Sequence, residues 1–448
     1  MYQDTIAAIA TPLGEGGIGI VRLSGAEARS ITEKLFSGQL QPNHLAYGHI
    51  RDCDSGEVVD EVLVSYMPAP RSYTREDVVE INCHGGPMPL QRVLELLLRG
   101  GARLAHPGEF TLRAFLNGRL DLTQAEAVLH IIQARTAASL RLAMAGLEGN
   151  LSNRVKELRS QLMPLLAYLS ACIDFPEDEV EKQDIVGPLA ETLKRIHELL
   201  SSADAGIIYR QGVRTAIVGR PNVGKSSLLN RLLRHSRAIV SPIPGTTRDT
   251  VEEVVNIKGI PFVLVDTAGI RHPPEAEDLL ESLSVERSRQ ALEQADLVLL
   301  VLDTSQPLTA ADQEIINSLA QKRVLVAANK NDLPNQANLS GLSWPLVPIS
   351  ALSGDGLGQL EEMMASLILR GQIYTSDRLL VSNPRQKQAL EKAAHYLESA
   401  LEAIKTGLPE DFISIDLTSA VNALGEITGE TVGEELLESI FSQFCVGK

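Results

Sequence analysis

The chain has no apolar run long enough to cross a bilayer. Its obvious candidate, Leu297 to Leu302, is only six residues, where a spanning helix needs about 20. It also lacks positive charge: 41 Lys and Arg stand against 57 Asp and Glu, giving a net charge of −16 and a pI of about 5.1. That excludes a globally basic nucleic-acid coat and leaves room for a local basic groove. Cysteine is scarce. Cys53, Cys83, Cys172 and Cys445 are scattered without metal-ligand spacing. The first residues, Met1-Tyr2-Gln3-Asp4, carry neither a basic nor an apolar region, so no secretory signal is expected and the cysteines read as reduced thiols. Gly (34) and Pro (22) are too few for a collagen-like or low-complexity chain. What remains is 448 residues, 44% hydrophobic and 22% charged. At roughly 100–200 residues per domain, a soluble, cytoplasmic protein of about two to four domains is expected.

The texture changes three times along the chain. Residues 1–119 hold short β-like runs (Ile18–Leu23, Glu61–Tyr66, Asp77–Asn82) and one helical stretch, Leu90–Leu98, ending at Gly100-Gly101. From 120 to 209 Pro and Gly thin out and Leu recurs at helical spacing, as at Leu158, Leu162, Leu165, Leu166 and Leu169. The acidic stretch Asp174–Asp184 interrupts these helices as a solvated loop. From 210 to 371 the apolar runs Val213–Val218, Phe262–Val265, Leu297–Leu302 and Val324–Ala328 alternate with helical segments. That is the pattern of a parallel sheet covered on both faces. Helical texture returns over 372–448 (Gln388–Ile404, Ile415–Ile427, Val432–Phe444). The order predicts an α/β domain inserted into a helical domain, behind an amino-terminal α+β domain.

The inserted segment carries phosphate chemistry. Gly219-Arg-Pro-Asn222-Val223-Gly224-Lys225-Ser226, followed by Ser227, matches G-x-x-x-x-G-K-[ST] after a strand and before the helix Ser226–Leu233, the context that pattern requires. Glycines let backbone N–H groups curl around a phosphate, Lys225 reaches the β/γ oxygens, and the Ser226 hydroxyl suits Mg²⁺. Asp266-Thr267-Ala268-Gly269 ends the strand Phe262–Val265, placing an acid for Mg²⁺ and a glycine N–H for a γ-phosphate. Asn329-Lys330-Asn331-Asp332 ends Val324–Ala328. A carboxylate at Asp332 accepts two hydrogen bonds from guanine, and adenine has no such donor pair. Ser350-Ala351 ends the next strand and backs the base. Four motifs in order, each at a strand's carboxyl end, specify a GTP site of the Ras-like P-loop class. After Gly269 comes Ile270, where many GTPases place a glutamine to orient water. Another device is therefore needed. Asn222 is either a ligand for a monovalent cation or an amide that stabilises the loop, and Ser241–Asp249 is the other candidate, with Thr247 closing on Mg²⁺.

Two further patterns fail their context. Gly14-Glu-Gly16-Gly-Ile-Gly19 satisfies G-x-G-x-x-G but runs into a strand, not a helix. Cys445-Val-Gly447-Lys448 has a cysteine four from the end, but Gly447 and Lys448 do not suit a prenylation box.

Together, GRPNVGKSSLLN, IPGTTRD, DTAGI, NKND and the terminal FCVGK resemble the family of the tRNA-modification GTPase MnmE, or TrmE. So do TPLGEGGIGIVRLSG, SYTREDVVEINCHGGP and HPGEFTLRAFLNGRLDLTQAEAV in the amino-terminal part. The resemblance covers nearly the whole chain. It implies a folate-binding and dimerising domain over 1–119, and one helical domain built from 120–209 and 372–448. Between those halves it implies a potassium-activated GTPase domain over 210–371. It implies a homodimer acting with an FAD-dependent, MnmG-type partner on the wobble uridine of tRNA, installing an aminomethyl-type group at carbon 5 from a tetrahydrofolate one-carbon donor. By the same resemblance, Asn222, Thr246 and the backbone of Ser241 and Ile243 match a K⁺ site. Ser226 and Thr247 match Mg²⁺ ligands. Glu281, with Glu277 and Glu286 as rivals, matches the glutamate that positions water. Arg22, Glu80 and Lys448 match folate contacts, and Arg119 stands where the family often has lysine.

Two alternatives stay open. Cys445 is either a nucleophile attacking a pyrimidine or part of a tail wedged at the folate pocket. The whole chain is either an enzyme component driven by GTP hydrolysis or a regulatory assembly GTPase. Folate-pocket residues and the cysteine tail favour the enzyme component, because an assembly factor has no use for them.

Overall fold

The computed structural model describes residues 4–175, 183–236, 253–266, 292–371 and 380–448. The amino-terminal sheet contains β1 (Ile6–Ile9), β2 (Gly16–Ser24), β3 (Leu45–Arg51), β4 (Val58–Met67), β5 (Val78–Gly85) and β6 (Arg103–Leu104), in the order β3-β4-β5-β2-β1-β6. All pairs are antiparallel except β1 with β6. Alternation decides its faces. Val62, Val64 and Tyr66 of β4 point inward with Val21, Leu23, Val79 and Ile81, under α1 (Ala28–Leu35) and α2 (Pro87–Arg99). On the opposite face, α3 (Glu109–Leu116) sets Phe110 against Ile6 and Ala8. The rest of that face stays open: Tyr47, Leu63, Asn82 and Ile20 form one cross-strand row, and Leu45, Ser65, Glu80 and Arg22 the next. Behind α3, Arg113 is 1% exposed and lies among Asp4, Glu76 and Glu109.

Five helices follow: α4 (Leu122–Gln133), α5 (Ala137–Leu147), α6 (Asn150–Asp174), α7 (Val186–Ser201) and α8 (Ala203–Gln211). Leu151, Val155, Leu158, Leu162, Leu165 and Leu169 make one buried stripe along α6. They pack with the later helices Pro384–Thr406 and Glu410–Thr428 into a single core. The last helix, Glu434–Phe441, returns to α4, burying Phe441 and Phe444 against Leu122 and Leu129.

The inserted sheet holds β7 (Val213–Val218), β8 (Glu253–Ile257), β9 (Ile260–Asp266), β10 (Leu297–Asp303), β11 (Val324–Asn329) and β12 (Leu346–Pro348), in the order β12-β11-β10-β7-β9-β8. It departs from the all-parallel expectation at one edge. β8 runs antiparallel to β9, because Lys258 (φ 52°) and Gly259 (φ 89°) make a two-residue reversal of the kind that closes hairpins. That turn docks on the helices. Thr136 Oγ1 donates to Gly259 O at 2.8 Å, and Leu142, Ala205 and Tyr209 share a core with Ile257, Ile260 and Phe262. No described helix is long and apolar enough to cross a membrane, and all four cysteines are free.

Burial sets a pH dependence in α4. His130 is 7% exposed, and burial, with Arg210 adding repulsion, pushes its imidazole down to about 3. The folded state therefore keeps it neutral while the unfolded chain takes up a proton below its ordinary value of 6.5. Stability from this group is full above that value and is lost as pH falls from 6.5 toward 3. His130→Leu should flatten the fall of the thermal midpoint across that window; identical slopes for both chains would contradict the assignment.

Candidate functional site

The turn between β7 and helix α9 (Lys225–Ser236) is shaped by residues in the left-handed region. Asn222 has φ 64° and Gly224 φ 101°. Such alternation curls successive N–H groups to one side, making an anion-binding concavity. Two glycines are sterically required. A Cβ at Gly219 would lie 2.4 Å from Val301 O, and one at Gly224 would lie 2.2 Å from Asn329 Nδ2. Lys225 is 8% exposed, and its Nζ donates to Gly219 O (2.7 Å) and Arg220 O (2.8 Å), holding the ammonium inside the curl. Ser226 and Ser227 are exposed on the first turn of α9, and Val223 is buried beneath.

Asn329, 2% exposed, locks three of the motifs together. Its Nδ2 donates to Val223 O (2.7 Å), and its Oδ1 accepts from the Ala351 N–H (2.9 Å). One amide thus ties the phosphate loop to the segment after β12, where Ser350 is buried. Lys330, at φ 66°, donates to Asp303 Oδ2 at 2.7 Å. Burial acts to raise the Asp303 carboxyl, but hydrogen bonds from Lys330 and Ser305 outweigh it and hold the group below its ordinary range. Asp332 is exposed just beyond. The arrangement can cradle a polyphosphate at one end and present a carboxylate to a base at the other.

Asp266 ends β9, beside Ile217 of β7. Ser241, Ile243, Thr246, Thr247, Thr267, Ala268, Gly269, Ile270 and Glu281 lie outside the described residues, as do Glu277 and Glu286. Among the described residues, no group of three His, Cys, Asp or Glu side chains could by itself hold a metal. A magnesium or potassium site built on Ser226 and Asn222 would depend on hydroxyl, amide and backbone oxygens, the donors that hard cations take.

The second constellation lies on the amino-terminal sheet. Arg22 and Glu80 are register partners across β2 and β5. Arg22 Nε donates to Glu80 Oε1 at 2.8 Å, and its Nη1 donates to Gly447 O at 3.3 Å. The same guanidinium lies 5.6 Å from the centre of the Phe110 ring and 5.8 Å from that of Tyr73. Arg119 approaches Tyr73 to 4.7 Å and donates to its carbonyl at 3.3 Å. Tyr73 thus sits between two arginines. Burial raises its phenol, against lowering by the Thr111 hydrogen bond and the two cations. Lys448 is half-buried and Cys445 exposed at the end of the same tail. Arg22, Glu80, Arg119 and the tail therefore converge. Tyr73 and Phe110 were not foreseen, because an aromatic in an irregular loop or on a short helix carries no periodic signal; Asp303 was missed as an ordinary strand-end acid.

Removing the Asn329 side chain should unfasten the nucleotide site. Asn329→Ala leaves the Val223 carbonyl and the Ala351 N–H unpaired in a buried position, which costs about 1–3 kcal/mol. A lower melting midpoint and weakened GTP binding are expected; a chain with unchanged midpoint and affinity would refute the lock.

Known proteins place this architecture. The family model for the GTP-binding protein TrmE N-terminus matches residues 5–119, and that for the MnmE helical domain matches residues 122–445. The tRNA modification GTPase MnmE of Chloroflexus aurantiacus is 51% identical over 100% of both chains. That of Roseiflexus castenholzii is also 51% identical over 100% of both. A crystal structure of Aquifex aeolicus Era bound to GDP.AlF4- is 32% identical, covering 41% of this chain and 65% of that one, with a TM-score of 0.26. Full-length identity at this level, with both family models in sequence order, settles the matter: the chain belongs to the MnmE family of tRNA modification GTPases.

Proposed function

We propose that this GTPase works on the wobble uridine of tRNA, adding an aminomethyl-type group at carbon 5 with a tetrahydrofolate one-carbon donor, in the cytoplasm. The observation that carries the nucleotide half is the Asn329 bridge, since it joins the phosphate loop to the base-side segment. Asn222, Val223, Gly224, Lys225, Ser226 and Ser227 hold the phosphates, with Asp266, Thr267, Ala268 and Gly269 beside them. Asn329, Lys330, Asp332, Ser350 and Ala351 hold guanine. Ser226 and Thr247 ligate Mg²⁺. The carrier half rests on Arg22, Glu80, Arg119 and Lys448. Glu80 suits the donor–acceptor edge of a pterin, and the cations suit its glutamyl carboxylates.

The chain acts as a homodimer with an FAD-dependent partner of the MnmG type. The open sheet face supports a second copy there: Leu45, Tyr47 and Leu63 are 60%, 63% and 40% exposed in adjacent positions, and clustered exposed apolar side chains of this kind suit a protein contact. Domain limits follow as 1–119, 120–209, 210–371 and 372–448.

Turnover depends on potassium. Ile270 has no group that can orient water, so Asn222, Thr246 and the backbone of Ser241 and Ile243 hold the ion, and Glu281 orients the attacking water. A cation at the phosphates supplies the charge stabilisation that an arginine finger supplies elsewhere, worth about 10³–10⁵ in rate. Hydrolysis should rise steeply in potassium, stay low in sodium at matched ionic strength, and fall in Asn222→Ala with nucleotide affinity little changed. Equal rates in the two salts would overturn the mechanism. Asp332→Asn should lose about 1.5–3 kcal/mol of GTP affinity and gain affinity for xanthosine nucleotide; a variant that still prefers GTP at the original affinity would refute guanine reading by Asp332.

A further inference from the structure

The tail has a feature that neither its cysteine nor its lysine explains. After the helix Glu434–Phe441, the chain is fixed at three points. Gly108, at φ 68°, has room for no Cβ, since one would lie 2.6 Å from Phe441 O. Its N–H donates to Cys445 O at 3.4 Å. Gly447, at φ 94°, is pressed against β1, where a Cβ would lie 2.3 Å from Ile9 O. In this position the Gly447 carbonyl accepts from Arg22 Nη1 at 3.3 Å. Phe444, 4% exposed, anchors the approach. Among the described residues the Cys445 thiol makes no hydrogen bond, and its side chain is exposed.

Arg22 is therefore held from two sides. Glu80 takes Nε and Nη2, the Gly447 carbonyl takes Nη1, and the rings of Tyr73 and Phe110 lie against the guanidinium. An arginine side chain gives up rotamer entropy when it is fixed. Contacts made before the ligand arrives remove that cost from binding.

We propose that Gly447 is a positioning residue for reduced-folate binding, acting through its backbone carbonyl on Arg22, so that the carboxyl-terminal motif serves this pocket as a backbone strap and not through the Cys445 thiol. The inference rests on the folate reading of the site. It assigns the glycine of the terminal motif a requirement of its own: no residue with a Cβ can place its carbonyl there without leaving Ile9.

The test measures binding of 5-formyltetrahydrofolate to the full-length chain by calorimetry. Wild type should bind. Cys445→Ser should bind within about twofold of wild type, and Gly447→Ala about tenfold more weakly, the scale of one charge-assisted hydrogen bond. Arg22→Ala should also bind weakly, and adding Gly447→Ala to it should change nothing further, because the strap acts through Arg22. A merely structural glycine would instead give effects that multiply. A chain ending at Val446 repeats the measurement without introducing a clash, and Lys448→Ala, whose effect should multiply with that of Arg22→Ala, separates the lost charge from the lost carbonyl. Gly447→Ala binding like wild type, multiplying effects of Gly447→Ala and Arg22→Ala, or Cys445→Ser as weak as Gly447→Ala would each overturn the proposal. A wild-type chain that does not bind refutes the folate reading itself, which equal binding by wild type and Gly447→Ala would leave standing.

Discussion

One buried carboxylate closes the molecule. Glu126, on α4, is 4% exposed and accepts from Asn383 (2.9 Å), Arg385 (2.8 and 3.0 Å) and Gln386 (2.9 Å). These partners lie across the whole inserted sheet in sequence. Arg385 also reaches the carbonyls of Glu426 and Ile427, the latter shared with Thr123. A charge so deeply placed is tolerated only when all its lone pairs are used, and leaving it unpaired costs several kcal/mol. The two helical stretches must therefore meet, and the chain between them must leave and return at neighbouring points.

That constraint gives the GTPase part a fixed attachment. α8 enters β7 through Gly212, where a Cβ would lie 2.4 Å from Pro261 O. The β8–β9 hairpin leans on α5 and α8 through Thr136 and Tyr209. The hairpin stands between the segment holding Thr246 and Thr247 and the one holding Asp266 to Gly269. The element joining those segments in the chain is anchored on the helices. α4 and α5 lead back to Asp121 and Arg119, at the edge of the amino-terminal constellation. Contacts run from α3 to α4, from α4 to α5, and from α5 and α8 to the β8–β9 hairpin.

Much of this was legible in the sequence, for physical reasons. Val213–Val218 and Leu297–Leu302 read as strands because buried parallel strands must be apolar on both faces; all seven residues of β10 are buried. The phosphate loop was legible because its glycines answer specific clashes. The leucine stripe of α6 named its own face. What stayed hidden is equally specific. β8 was missed because its direction is set by the Lys258–Gly259 turn, a two-residue signal outweighed by the surrounding parallel pattern. The approach of Gly447 and Tyr73 to Arg22 joins residues up to 425 positions apart, a separation no local pattern records. The Asp303–Lys330 pair links two strand ends that become neighbours only in the folded sheet.

The two constellations have a shared purpose if GTP turnover serves chemistry on RNA. Nucleoside analysis of total tRNA from cells lacking this protein tests that claim most directly, with wild type and Lys225→Ala restored in parallel. The expected result is loss of the aminomethyl-type substituent at carbon 5 of wobble uridine, recovered with wild type and not with Lys225→Ala. An unchanged nucleoside profile in the deletion strain, or full recovery with Lys225→Ala, would contradict it.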